Sequence, residues 1–228
     1  MATIRKLIII GGKGNGTQVT STVEDIIEAG GNWEIQGFLD DKYNPDEPLE
    51  FLGYPVLGKV TDAARFNHDD CYFYFSLFSV KNSARMVRYL KSLNVPDQKF
   101  ATLVHPSAVV SKSARIGCGV CLMAQSFVGP EASLGNHIIG YGQSYISRNT
   151  VLEDYAYLAA KACLGAESVM KKGAYLGLAS TVLERKIIGA WAVVGAGANV
   201  LDNVAEGEIV VGNPARVIGK VTDREESG

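Results

Sequence analysis

From Val104 to Ala205 the chain keeps a six-residue rhythm through seventeen hexads without an insertion. The leading positions are Val104, Val110, Ile116, Leu122, Val128, Leu134, Gly140, Ile146, Leu152, Leu158, Leu164, Met170, Leu176, Val182, Ile188, Val194 and Val200. All are aliphatic or Met except Gly140. Four residues after each leader comes a second inward slot, mostly small, as at Ala108, Ser126, Thr150, Ala174 and Ala198. Ile138 and Lys186 break that rule and mark a local bulge or an exposed corner. Gly follows the leader in seven hexads, among them Gly129, Gly165 and Gly177.

A period of six matches neither the 3.6 residues of a helical turn nor the alternation of a half-buried strand. It is the pattern of a parallel β-helix, in which each hexad makes one short strand and a corner. The leader fills the core, the small residue packs beside the corner, and Gly after the leader is expected to supply the turn geometry. Three hexads close one triangular coil, so the stretch predicts between five and six coils around a continuous core. A β-sandwich is the competing fold, but its strands and loops vary in length, whereas these hexads stay in one phase.

Before Phe100 the pattern changes. Lys6 to Ile10 reads as an apolar strand, followed by Gly11-Gly12-Lys13-Gly14-Asn15-Gly16 and a helix from Thr17 to Ala29 that stops at Gly30-Gly31. Glu34 to Leu39 reads as a second strand ending in Asp40-Asp41, and Val60 to Phe66 as a short helix. An aromatic strand from Cys71 to Phe78 and an amphipathic helix from Lys81 to Leu93 follow. The expectation is a Rossmann-like α/β domain with a parallel sheet over residues 1–100, an all-β helix over 101–220 and a tail over 221–228.

The glycine loop falls where a strand ends and a helix opens, so its backbone N–H groups and the helix N-terminus can meet a phosphate. Its spacing, Gly12-x-Gly14-x-Gly16, is not the G-x-G-x-x-G dinucleotide fingerprint. A purely structural turn fits it as well. Asp40-Asp41 either accepts hydrogen bonds from a ribose or base, or is a solvated acidic turn.

At 228 residues the chain suits one large or two modest domains, and 47% hydrophobic with 20% charged residues is ordinary for a packed globule. A net charge of −2 argues against broad nucleic-acid or membrane-surface binding. No apolar run approaches the ~20 residues of a membrane span, and the N-terminal run Leu7 to Ile10 is too short for a signal-peptide core. A cytoplasmic protein without membrane insertion is expected. Cys118-x-x-Cys121 has no second Cys/His pair at metal-site spacing, so no metal is expected.

The hexads and the closing Val211-Gly212-Asn213-Pro214-Ala215-Arg216 resemble the hexapeptide-repeat acyltransferases. That resemblance implies a left-handed β-helix, against the right-handed rule for ordinary crossovers. It also implies a homotrimer with acyl-CoA in the groove between adjacent prisms. The α/β domain ahead of the repeat, and the His105-Pro106-Ser107-Ala108 entry to it, are similar to the sialic-acid O-acetyltransferase and bacillosamine N-acetyltransferase group. By that resemblance Gly12, Lys13, Gly14, Asn15, Asp40 and Asp41 bind a nucleotide-linked sugar, and Tyr157, Ala166, Leu178 and Ala196 line the acyl-CoA groove.

The family's base is a His on a mid-prism coil, and counting hexads back from the closing motif puts its slot on Ser147-Arg148-Asn149. A guanidinium stays protonated in proteins and cannot serve as a base. Two further family histidines fall on Tyr157 and Asn15. Of the chain's own three, His68 lies in a polar loop, His105 suits a structural role at the domain junction, and His137 falls on a different edge from Arg148. The positional candidates for catalysis are therefore Arg148, Asn149, Asp154 and His137, the last from a neighbouring subunit. The resemblance implies transfer of an acetyl group from acetyl-CoA to the amine of a nucleotide-linked amino sugar, with a non-standard base and no metal. A non-catalytic trimeric nucleotide-sugar or CoA-binding homologue, and a sialic-acid-type O-acetyltransferase, are the alternatives. Loss of the base favours an amine acceptor, which is partly neutral near pH 7, over a hydroxyl.

Overall fold

The structure is a computed structural model and describes residues 3–80 and 82–221. Lys81, the expected start of the second helix, and all but the first residue of the expected tail lie outside the described residues. The chain divides into two compact units, one running to Ser107 and including Gly117–Ala124, the other made of Ala108–Ile116 and everything from Gln125.

The first unit contains β1 (Arg5–Ile10), α1 (Asn15–Glu28), β2 (Trp33–Leu39), β3 (Glu50–Phe51), β4 (Tyr54–Gly58), β5 (Cys71–Phe75) and α2 (Ser83–Ser92), with a 3-10 helix at Val60–Phe66. The sheet order is β3-β4-β2-β1-β5, parallel except for the β3–β4 hairpin. β1 lies between two parallel neighbours, and its run Leu7, Ile8, Ile9, Ile10 is almost wholly buried, as expected of a parallel strand covered on both faces. β5 ends at Phe75, three residues before the expected Phe78. Its ladder partner ends there too, with Ile10 opposite Phe75, and the Ser76 N–H makes the last bond, to the Ile10 carbonyl at 2.9 Å. The β3–β4 hairpin was not foreseen. It turns through Leu52 and Gly53, at φ 52° and 79°, without the Asn-Gly or Asp-Gly pair that usually announces such a turn.

In the second unit every strand of the repeat is two residues long and pairs in parallel with the strand eighteen residues away, as in Phe127↔Tyr145, Ser133↔Val151 and Tyr157↔Tyr175. One sheet runs through Val109–Val110, Phe127–Val128, Tyr145–Ile146, Cys163–Leu164, Thr181–Val182 and Asn199–Val200. A second runs from Arg115–Ile116 to Ile187–Ile188, and a third contains Ile139–Gly140, Tyr157–Leu158, Tyr175–Leu176 and Val193–Val194. The leaders from Val128 to Val200 are buried, and so are the small residues of the second slot from Ser126 to Ala198. The buried hydroxyls are satisfied locally: Thr150 Oγ1 donates to the Ser147 carbonyl and Ser180 Oγ to the Gly177 carbonyl.

Three expectations about the repeat need correction. Gly after the leader does not make the turn. The left-handed residue is the third after the leader, as at Asn149, Tyr155, Lys161, Glu167, Ala179, Arg185 and Trp191, with φ between 53° and 64°. Its N–H reaches a corner carbonyl of the preceding coil: Asn149 to Pro130, Tyr155 to Asn136, Glu167 to Arg148. This pairs backbone groups that the corner would otherwise leave unmatched. Gly after the leader answers a different need, because the next coil runs against it. A Cβ on Gly129 would stand 2.7 Å from the Arg148 nitrogen, and one on Gly177 2.6 Å from that of Ala196.

Ile138 is neither bulge nor exposed corner. It is fully buried, and the Ile139–Gly140 strand beside it stays in register. Its bulk compensates for the missing side chain of the leader Gly140, a volume-conserving exchange that a core tolerates. Lys186 is half-buried, with its N–H donating to Ser168 Oγ. The phase itself breaks after Val200. Ile188 pairs with Val204 and Val193 with Ile209, sixteen residues apart, and an antiparallel strand Arg216–Lys220 then closes the third sheet.

Candidate active site

At the carboxyl edge of the first unit's sheet the glycine loop and the paired acids meet. Gly12 N–H donates to Asp40 Oδ2 at 2.9 Å, and Lys42 N–H to Asp40 Oδ1 at 3.0 Å. Asp41 Oδ1 accepts the Val60 N–H at 3.2 Å, and its Oδ2 the Tyr89 hydroxyl at 3.2 Å. Burial and the Asp41 carboxylate push the Tyr89 hydroxyl up to about 12, so it stays protonated and donates. Both acids therefore anchor backbone around the loop.

Gly12 sits beneath the Phe51 ring, where a Cβ would collide with it, and Phe51 in turn packs edge-on against Phe38 at 5.3 Å. Gly16 has no Cβ because the Gly11 carbonyl oxygen occupies that space. Lys13 and Gly14 form the exposed rim. Gly14, at φ 67°, precedes α1 and has no side chain to cap its first turn, which leaves the N–H groups of Gly16 and Thr17 without a side-chain cap from that position. Asn15 lies beside them, with Nδ2 donating to the Phe78 carbonyl at 2.7 Å. Of the six sequence-assigned residues, Gly12 and Asp40 are brought into direct contact, while Asp41 bonds Val60 and Tyr89 and Asn15 bonds Phe78. Ser76, Phe51 and Tyr89, which shape the same place, were missed. Ser76 was findable in principle, because loops at the carboxyl ends of adjacent parallel strands converge.

His105 belongs to this unit. Its Nδ1 accepts the Ser107 N–H at 3.0 Å, so Nε2 carries a proton and donates to Asp25 Oδ2 at 2.9 Å. The ring ties the entry of the repeat to α1. Cys121 is fully buried, and its thiol is pushed up to about 12 by burial. Among the described residues no group of three or more His, Cys, Asp or Glu stands in metal-ligating reach.

In the β-helix the remaining candidates fall on three different corners. Arg148, Asn149 and Ala166 follow strands of the first sheet, His137 and Asp154 strands of the second, and Leu178 and Ala196 strands of the third. Within one chain, Ala166 is therefore not brought together with Leu178 and Ala196.

Arg148 Nη1 pairs with Glu167 Oε1 at 2.9 Å, while Glu167 Oε2 accepts Arg185 Nε at 2.9 Å. The two guanidinium groups, Arg185 first, hold the Glu167 carboxyl below its ordinary range. Asp154 Oδ1 accepts the Asn136 N–H at 2.7 Å. His137 is buried and stacks on Tyr155, with centroids 5.4 Å apart and rings 5° from parallel. Tyr157 stacks on Tyr175 at 4.8 Å and lies 5.3 Å from the Tyr141 ring. Burial and the Tyr141 hydroxyl raise its phenol far above the ordinary range, so at neutral pH it acts as a hydrogen-bonding or packing group.

Residues 6–84 match the family described as the PglD N-terminal domain. The acetyltransferase domain of PglB from Neisseria gonorrhoeae FA1090, also solved in complex with acetyl coenzyme A, superposes with a TM-score of 0.82 at 23% identity, covering 94% of this chain and 100% of that one. PerB from Caulobacter crescentus, in complex with CoA and GDP-perosamine, gives 0.79 at 24% identity, covering 95% and 99%. A UDP-N-acetylbacillosamine N-acetyltransferase of Bacillus subtilis (strain 168) is 31% identical over 123 residues, 53% of this chain and 52% of the relative. The match thus spans about half the length of that curated relative.

The chain has the left-handed β-helix fold of the hexapeptide-repeat acyltransferases, carried behind a PglD-type N-terminal domain. It shares that fold with the PglB and PerB structures over almost its whole length, and over about half its length it is similar in sequence to the bacillosamine enzyme.

Proposed function

We propose that this chain transfers the acetyl group of acetyl-CoA to the amine of a nucleotide-linked amino sugar, as a cytoplasmic homotrimer. The observation that carries the reading is a PglD-type domain, with its glycine loop at the carboxyl edge of a parallel sheet, followed by a β-helix in a chain of which 94% superposes on the acetyl-CoA-bound PglB domain. In this reading residues 1–100 bind the nucleotide sugar. Lys13, Gly14 and Asn15 present backbone N–H groups there, and Asp40 and Asp41 shape the loop through Gly12 and Val60. Residues 101–220 supply Tyr157, Ala166, Leu178 and Ala196 to the acyl-CoA groove. Their distribution over separate corners supports a groove formed between copies.

The amine nitrogen attacks the thioester carbonyl, the tetrahedral intermediate expels the CoA thiolate, and the nitrogen sheds a proton. Arg148 cannot take that proton. His137 is buried against Tyr155, whereas the Asp154 carboxylate sits at a half-exposed corner with Oδ1 holding Asn136. Asp154 is the base this reading favours. A positioned base contributes ~10²–10⁴ in rate, and alignment of the two substrates can contribute more.

The test is release of free CoA thiol from acetyl-CoA on addition of UDP-, GDP- or dTDP-linked amino sugars. Asp154→Asn should cut the rate by ~10² or more, with Arg148→Ala and His137→Ala having smaller effects. Acetyl-CoA binding with no thiol release from any of these acceptors would sink the enzyme reading. It would favour a non-catalytic nucleotide-sugar and CoA binder, a second reading supported by the use of Arg148 in the ion-pair ladder with Glu167 and Arg185.

A further inference from the structure

One peptide of the glycine loop is gripped at both ends. The Gly12 N–H donates to Asp40 Oδ2 at 2.9 Å, and the carbonyl of the same peptide, on Gly11, lies 2.8 Å from the buried Ser76 Oγ. That hydroxyl also lies 2.8 Å from the Ile10 carbonyl, and the Leu77 side chain fills the space a Cβ on Gly11 would need. Four residues beyond Gly11, Asn15 Nδ2 donates to the Phe78 carbonyl at 2.7 Å. The far end of the 76–79 segment is anchored at the start of α2. The Ser79 N–H and Oγ donate to Asn82 Oδ1 at 3.0 and 2.8 Å, and Ser83 Oγ donates to the Ser79 carbonyl at 2.7 Å.

A helix N-terminus holds a phosphate only if its N–H groups are aimed at it beforehand. Gly14 has no side chain and sits at φ 67°, so it cannot hold that aim itself. The restraint comes from outside the loop, through Ser76 on the Gly11–Gly12 peptide and through Asn15 on Phe78.

We propose that the side chains of Asn15 and Ser76 are positioning groups of the nucleotide-sugar site: they tie the glycine loop to the 76–79 segment and so preset the aim of the first turn of α1, without themselves touching the nucleotide. The proposal rests on the reading of this loop as the nucleotide site. It gives the Asn15 side chain the role of a strut rather than a ligand, and explains why a serine hydroxyl is buried at the end of β5. Removing either tie leaves the loop to be ordered on binding, which weakens the ligand without changing any atom that contacts it.

The experiment uses the full chain with Asn15→Leu, which keeps size and neutrality but cannot donate, Asn15→His, which restores a donor, and Ser76→Ala. Calorimetric binding of UDP, GDP and dTDP is measured alongside amide hydrogen exchange over residues 76–80. Asn15→Leu and Ser76→Ala should weaken the nucleotide that binds wild type by about three- to tenfold, the worth of one hydrogen bond. Both should speed exchange in that segment, with Asn15→His recovering most of the loss. In steady state the KM for the nucleotide sugar should rise while that for acetyl-CoA holds. Wild-type affinity and exchange in both variants would overturn the proposal. If wild type binds none of the three nucleotides, the nucleotide-site reading fails separately, and unchanged exchange in the variants would still overturn the tie itself.

Discussion

In the first unit aromatic and hydroxyl contacts join residues that hold no equivalent positions in a repeat. Phe73 meets Phe100, Phe38 meets Phe51, Ser76 meets Gly11, and none of these pairs recurs elsewhere. In the β-helix the strand residues as far as Val200 meet their equivalents eighteen positions away, so one packing solution is written again from coil to coil. A repeat spreads its information. A departure such as Gly140 can be absorbed by Ile138 two residues earlier, because the coils above and below still fix the register. The α/β unit has no such redundancy, and its loops depend on single side chains.

The widest separation should appear on core truncation. Phe73→Ala, at a fully buried ring in the first unit, is expected to cost ~3–5 kcal/mol. Leu176→Ala in the β-helix falls in the ~2–5 range for the same kind of loss. Urea melts read by hydrogen exchange should show the first change unfolding its unit as a whole and the second opening mainly the coils beside it. Whole-unit loss in both would break the comparison.

A smaller effect comes from the glycine row. Gly177→Ala places a Cβ against the Ala196 nitrogen and should cost ~1–3 kcal/mol, measured as a lower urea midpoint. In the opposite direction, Ala179→Gly relieves a left-handed alanine at φ 53° and should stabilise by up to ~1 kcal/mol. An Ala179→Gly variant less stable than wild type would mean that the corner position is not strained.

The smallest effect is electrostatic. Lys171 Nζ, 2.8 Å away, and then the Lys172 N–H hold the Glu153 carboxyl below its ordinary value. A lowered folded-state pKa stabilises above the unfolded-state value near 4.5, and that contribution fades as pH falls through the folded one. Glu153→Gln should therefore cost ~0.2–1 kcal/mol at pH 7, the range for partly exposed pairs. It should cost less at pH 3, as seen in thermal melts at the two values. An equal cost at both would point to lost packing instead of charge.

The site was legible unevenly. That the glycine loop and the Asp40-Asp41 pair lie at strand ends could be read from composition, and Gly12 and Asp40 do meet. Phe51 could not be read, because the hairpin that brings it over Gly12 turns at Leu52-Gly53, a pair that carries no hairpin signal. The role of Gly after the leader was misread for a related reason. Turn geometry is local and suggests itself from one hexad, while close approach of the next coil involves a residue nineteen positions on, Arg148 for Gly129.

The sequence by itself determined the β-helix, its eighteen-residue coil and the parallel sheet before it, since these follow from the order of apolar and small residues along the chain. The tertiary structure alone decided that Arg148 is held by a carboxylate shared with Arg185, that Asp154 anchors Asn136, and that the glycine loop is gripped by Ser76 and Asn15. Periodicity reports which side chains turn inward. Which polar atom meets which depends on distances between segments remote in sequence, and those exist only once the coils and the sheet have closed.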